Sequence, residues 1–189
     1  MKRIVIFASG SGTNAENLIR FFQNNDNVEV IQVLTNNPYA KVLDRAMRLS
    51  ISALSFNRIA FSNTNHVLDI LKHQKPDLIV LAGFLWKIPE SFIKAFPNKI
   101  INIHPALLPK FGGKGMYGMH VHEAVISSKE KETGITIHYV NENYDEGATI
   151  FQAKCEVLSS DSANDVAAKI HDLEMEHFPK VVNSLLFQN

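Results

Sequence analysis

The chain has 189 residues, 46% hydrophobic and 20% charged, a composition that suits one globular domain (1–189) with a single core. Its 19 basic and 19 acidic residues cancel to zero net charge, so the basic excess that grips a polyanionic nucleic acid is missing. No run approaches the roughly 18 apolar residues of a membrane helix, and the lone Cys155 excludes an internal disulfide, which suits a cytoplasmic protein.

The opening Met1-Lys2-Arg3 and its apolar run stop at Ser9-Gly10, too short for a signal peptide. Ile4 to Ala8 therefore reads as a buried strand and Asn14 to Gln23 as a helix. Val28 to Leu34 reads as a strand, Lys41 to Leu49 as a helix, and Phe61 to His73 as one further helix. Asp77 to Ala82 is a continuous apolar run of the kind found in central parallel strands. Ile100 to Ile103 is another strand. Thr133 to Val140 and Thr149 to Val157 follow as a pair that a short loop sets antiparallel. Ser162 to Leu186 reads as a long closing helix with a potential break at Pro179. This alternation predicts an α/β fold: an open, mostly parallel, Rossmann-like sheet with helices on both faces and an antiparallel C-terminal strand pair. Sites in such folds lie beyond the carboxyl ends of the strands.

Three places there carry chemistry. Gly10-Ser11-Gly12-Thr13-Asn14 joins the first strand to the first helix, and glycines there let free amides approach an anion. Thr13 and Glu16 have the spacing of a capping box. With Ala15 the turn weakly matches a dinucleotide fingerprint, but Thr35-Asn36-Asn37 stands where an acidic ribose ligand belongs, and the P-loop lysine is missing. A monophosphate site and a plain tight turn both remain open.

Asn102 and His104 share one strand face, with Pro105 ending the ladder. A neutral amide suits a developing oxyanion and an imidazole suits proton transfer, although a buried structural pair is equally compatible. Asp145 lies in the polar loop Asn141 to Gly147, where acids are usually just solvated. Aimed into a cleft, it would raise the pKa of a nearby histidine and help relay a proton. His138 shares a face with Thr136 on the preceding strand.

GSGTN, LAGF (Leu81 to Phe84), NIHPALLPKF (Asn102 to Phe111) and YDEGATI (Tyr144 to Ile150) occur in that order. Together they strongly resemble the phosphoribosylglycinamide formyltransferase family, folate-dependent enzymes of purine biosynthesis, over essentially the whole chain. The NIHP segment is common to the wider formyltransferase superfamily. GSGTN and the lack of a further domain point to the glycinamide ribonucleotide branch.

The resemblance implies the formyltransferase fold and transfer of a formyl group from 10-formyltetrahydrofolate to the amine of glycinamide ribonucleotide, without a metal. It implies Asn102, His104 and Asp145 as the catalytic triad, and Gly10, Ser11, Gly12, Thr13 and Asn14 as the phosphate site. Glu174 would contact the ribose. Phe84, Leu85, Trp86, Lys87 and Ile88 would flank the folate, with Asn141, Glu142 and Tyr144 covering its pterin ring. Thr136 and His138 would support the triad.

Leu85-Trp86-Lys87-Ile88 replaces a Met-Arg-Ile-Leu-like run of many members. Ala106 stands where a serine is common, and Gly112 to Gly118 is a longer, glycine-rich loop suited to mobility over the substrate. His120-x-His122 follows it and lacks the company of a metal pair, so His120 is assigned to a loop over the ribonucleotide.

The hydrolase and initiator-tRNA branches of the superfamily carry extra domains, and the tRNA branch must also meet a large polyanion. A nicotinamide-dependent oxidoreductase lacks its acidic residue here, and a mere nucleotide-binding module would not need Asn102, His104 and Asp145 together. The expected partners are small molecules, not nucleic acid or membrane, in a monomer or homodimer.

Overall fold

A computed structural model describes residues 1–188. Its strands are β1 (Lys2–Phe7), β2 (Val28–Thr35), β3 (Ala53–Ser55), β4 (Leu78–Leu81), β5 (Ile100–His104), β6 (Glu132–Tyr139) and β7 (Thr149–Glu156). The helices are α1 (Thr13–Phe22), α2 (Lys41–Arg48), α3 (His66–Gln74), α4 (Glu90–Ala95), α5 (Met119–Ser127) and α6 (Ala163–Phe187), with one π-helical turn at Ile59–Asn63. All strands join one sheet in the order β3-β2-β1-β4-β5-β6-β7. The first five run parallel; β6 pairs antiparallel with β5, and β7 antiparallel with β6.

The two-residue period of a strand explains why the central strands are apolar throughout. Ile4, Ile6 and Ala8 face α1, α2 and α6, whereas Val5 and Phe7 face α3, α4 and a cluster of aromatic rings. All five are buried, and each large one contributes about 1.5–3 kcal/mol through its burial. The chain leaves β1 toward β2 and β3 on one side, then returns to β4 on the other. That reversal opens a crevice beyond the carboxyl ends of β1 and β4.

Several expectations are corrected by local physics. The helix expected over Phe61 to His73 is divided. Thr64 is extended (φ −128°, ψ 173°), and its amide and hydroxyl both donate to the Ile59 carbonyl, closing the π-turn before α3 begins. Thr13 and Glu16 form no capping box. Gly12 is the N-cap of α1, and Arg20 and Arg45 hold the Glu16 carboxylate. The capping box belongs instead to Ser162 and Asp165, at the start of α6.

α6 also runs unbroken through Pro179. A proline leaves the carbonyl four residues back without its helical donor. Here that carbonyl, on Met175, accepts from the Asn17 side-chain amide at 2.9 Å, so α1 supplies what Pro179 lacks.

Candidate active site

A cleft of about 670 Å³ occupies the crevice, with the turn after β1, the end of β5, the Gly113–Gly118 loop and Glu174 of α6 among its walls. The turn is shaped for an anion. The amides of Ser11, Gly12 and Thr13 have no hydrogen-bond partner among the described residues, and they lead into the positive end of α1. Gly12 sits in the left-handed region at φ 73° and touches α2, where an added Cβ would overlap the Val42 side chain and come 2.9 Å from its Cα.

Behind the turn, Asn14 donates from Nδ2 to Glu174 Oε2 at 2.8 Å, while its buried Oδ1 has no partner among the described residues. Burial pushes the Glu174 carboxyl above its ordinary range, against the pull of Asn14 and His171. An acid held at such an energetic cost is a group available to a ligand hydroxyl.

Strand register assembles the other end. In the β5–β6 ladder Asn102 stands opposite His138 and His104 opposite Thr136, so four polar side chains meet at one strand end. The His138 Nδ1–H donates to the Tyr139 carbonyl (2.8 Å), leaving Nε2 to accept from Asn102 Nδ2 at 3.1 Å. The His104 Nε2–H donates to the Phe111 carbonyl at 2.8 Å, which turns Nδ1 toward Asp145 Oδ2, 3.6 Å away. Thr136 accepts from the Leu108 amide and donates to the Ala106 carbonyl, fixing the loop that carries Phe111.

Asp145 tolerates the left-handed conformation (φ 57°) that aims its carboxylate inward. Oδ2 accepts from the Gly113 amide at 2.9 Å, and Oδ1 from Asn102 Nδ2 at 3.4 Å. Burial opposes ionisation of Asp145, but His138, whose Nε2 lies 3.6 Å from Oδ1, the nearby His104 and the Gly113 amide outweigh it and hold the carboxyl below its usual range. Asp145 was expected to raise the pKa of its histidine. For His104 burial wins: it drives the imidazole pKa down, and Asp145 and the Phe111 carbonyl reverse this only in part. The ground state is thus an ionised Asp145 beside a neutral His104.

A second, shallower groove runs from Trp86, Lys87 and Ile88 to Asn141 and Tyr144. It shares Phe84, Asn102, Tyr144 and Asp145 with the main cleft, so the two spaces open onto the same amide and carboxylate.

The sequence pattern of the family described as formyl transferase matches residues 2–182. The chain belongs to this formyl transferase family. It is 34% identical over 196 residues to "Phosphoribosylglycinamide formyltransferase" of Bacillus subtilis, covering all of this chain and 97% of that one. It is also 34% identical over 190 residues to the chloroplastic protein of that name from Arabidopsis thaliana, covering 97% of this chain. The chain spans 65% of that plant relative and 61% of its counterpart in Vigna unguiculata. A crystal structure of phosphoribosylglycinamide formyltransferase from Bacillus halodurans superposes with a TM-score of 0.88 at 34% identity, covering 99% of this chain and 96% of that one. The counterpart from Anaplasma phagocytophilum gives 0.89 at 34% identity, covering 98% and 86%.

In this chain, Gly10 to Asn14, Glu174, Asn102, His104 and Asp145 all line the main cleft, with Phe84 and Leu85. Two of the proposed residues fall elsewhere. Glu142 is exposed and lines neither space. His120 lies in the first turn of α5, its side chain 62% exposed and 3.8 Å from Glu123. Two residues along a helix face nearly opposite ways. His122 is therefore the one buried against the cleft, with Nδ1 unpartnered among the described residues. The burial of Val121, His122 and Val125 follows helical spacing, a signal present in the sequence but read there as loop. Trp86 packs on Phe56, Phe61 and Phe84 beneath the Arg58 guanidinium, so it serves as much as a wall of the fold as of the groove. Among the described residues, no group of three metal-binding side chains converges.

Proposed function

We propose that this chain transfers the formyl group of 10-formyltetrahydrofolate to the amine of glycinamide ribonucleotide, a step of de novo purine biosynthesis. The observation that carries the reading is the meeting of the main cleft and the smaller groove at Asn102 and Asp145. A transfer between two small molecules needs one point that both can reach. The relatives named phosphoribosylglycinamide formyltransferase point to the same acceptor and the same transferred group.

The ribonucleotide phosphate would sit on the Ser11, Gly12 and Thr13 amides and its ribose against Glu174, which directs the glycyl amine toward Asn102. The folate would enter beside Phe84 to Ile88, under Asn141 and Tyr144, bringing the formyl carbon to the same place. Attack of the neutral amine forms a tetrahedral carbon whose oxygen takes up negative charge. The Asn102 amide is a preorganised donor to that oxygen. Asp145 is ionised beforehand and accepts the proton shed by the amine, through water. Asp145 hands that proton to His104, which lies between it and the Phe111 carbonyl; the imidazolium adds opposite charge to the oxyanion and passes the proton on to the folate nitrogen as its bond to carbon breaks. The amine's proton thus ends on the departing folate, and the site returns to its starting state. The half-buried Cys155 thiol, unpaired among the described residues, suits a reducing cytoplasm.

The test is turnover with both substrates against a sample that omits the ribonucleotide. Amine-dependent release of tetrahydrofolate is expected. Release without the amine would identify a formylfolate hydrolase, and release in neither sample would remove the proposal.

A further inference from the structure

The glycine turn is held from behind. The Gly10 carbonyl accepts from the Val42 amide at 3.2 Å, at the start of α2. The next carbonyl, on Ser11, accepts from Arg45 Nε at 2.7 Å, one turn further along that helix. The same guanidinium forks onto the Glu16 carboxylate in the first turn of α1, which Arg20 also holds. These two arginines pull the Glu16 carboxyl below its usual range, consistent with a firmly ionised partner.

In a planar trans peptide, the C=O and the following N–H point in opposite directions. The Gly10–Ser11 and Ser11–Gly12 bonds are both trans. Pulling the Gly10 and Ser11 carbonyls toward α2 therefore turns the Ser11 and Gly12 amides the other way. Those are the amides that have no partner and lie on the cleft. Val42 lies flush against Gly12, so the clamp also explains why that position has no room for a Cβ.

We infer that Arg45 is a positioning residue for the substrate phosphate: by holding the Ser11 carbonyl it aims the Gly12 amide into the cleft, while its pairing with Glu16 locks α2 to α1. Arg45 does not itself touch the ligand. The inference rests on the phosphate reading of the turn proposed above. It assigns to α2, which lines no part of the cleft, control over affinity for one substrate alone. Arg45 carries two separable features. The positive charge is shared by lysine, whereas a planar fork spanning a carbonyl and a carboxylate at once belongs to arginine.

The experiment compares wild type, Arg45→Ala and Arg45→Lys on glycinamide ribonucleotide and on its dephosphorylated ribonucleoside. For Arg45→Ala, a rise of about tenfold or more in KM for the ribonucleotide is expected, with kcat and the folate KM within about threefold. On the dephosphorylated amine, Arg45→Ala and wild type should be indistinguishable in kcat/KM, because the turn then has nothing to hold. Arg45→Lys should stay impaired on the ribonucleotide. Full recovery with lysine would overturn the inference in favour of charge alone. Equal losses on both amines, or a parallel loss of kcat and both KM values, would overturn it in favour of a general structural role. If wild type itself failed to prefer the phosphorylated amine, the phosphate reading of the turn would fall first, independently of Arg45.

Discussion

The two ends of the cleft are built on opposite plans. At the glycine turn, the carbonyls of Gly10, Ser11 and Gly12 are all bonded, to the Val42 amide, Arg45 and the Glu16 amide, and Gly12 rests on a fully buried valine. The loop from Asn141 to Glu146 is mostly exposed, and what fixes it in the cleft is one carboxylate, on Asp145, held by Gly113 and Asn102 and lying 3.6 Å from two histidines. The difference teaches where damage will register. The turn is a preformed holder, so its variants should lose affinity. On the proposed mechanism the loop carries the proton-transfer group, so its variants should lose rate.

The largest effect, and the sharpest test of that division, is expected from Asp145→Asn. Removing a positioned base costs about 10²–10⁴ in rate, and kcat should fall within that range while the ribonucleotide KM stays within about threefold. The sign of the pH dependence follows from the lowered carboxyl. Wild-type Asp145 is ionised near neutrality, so kcat/KM should decline as pH falls through the range where Asp145 and the substrate amine take up protons. The asparagine variant should keep the amine's limb of that profile and lose the carboxylate's. Identical profiles for the two proteins would deny Asp145 its role.

Gly12→Ala should act on the other side of the comparison. A Cβ there meets Val42 in a left-handed backbone, so about 1–3 kcal/mol of stability should be lost in a urea titration. The ribonucleotide KM should rise at the same time. An unchanged KM would mean that the turn is not the phosphate holder.

The smallest effect concerns Glu174, where holding and stability oppose each other. Its carboxyl is raised by burial, so the ionised form destabilises the ligand-free protein at neutral pH. That penalty is fully present above the raised folded value and disappears as pH falls below the ordinary carboxylic range. Glu174→Gln keeps an oxygen for Asn14 and should gain about 2–4 °C in Tm near pH 7, the equivalent of about 1 kcal/mol in a chain of this size. The gain should vanish in acid and be accompanied by weaker ribonucleotide binding. A loss of Tm at pH 7 would show that the buried carboxylate is satisfied after all.

What the sequence made legible divides along the same line. The glycine turn and the Asn102-His104-Pro105 strand end are local, with the chemistry written in consecutive residues. Their partners are not. Asp145 reaches the site through the β6–β7 connection, and the pairing of Asn102 with His138 depends on a register set by the whole ladder. Even with the triad named, the balance between burial and Asp145 at His104 required knowing how deeply the ring is buried. The three residues of β3 and the six of α4 were too short to show a period. α5 was hidden because the glycines before it suggested that the loop continued. Thr13 and Glu16 misled for a physical reason: a capping box is recognised by spacing, but Arg45, 29 residues away, took the carboxylate the box needed.

The most direct test of the central claim is a single turnover with donor labelled in its formyl group, both substrates saturating, comparing wild type with Asn102→Ala. The account predicts that wild type delivers the label to the ribonucleotide. Asn102→Ala should still bind both substrates by equilibrium dialysis but transfer the label about 10²–10³-fold more slowly, as expected for the loss of an oxyanion donor. Transfer by Asn102→Ala at near the wild-type rate, or label released from wild type as free formate, would contradict it.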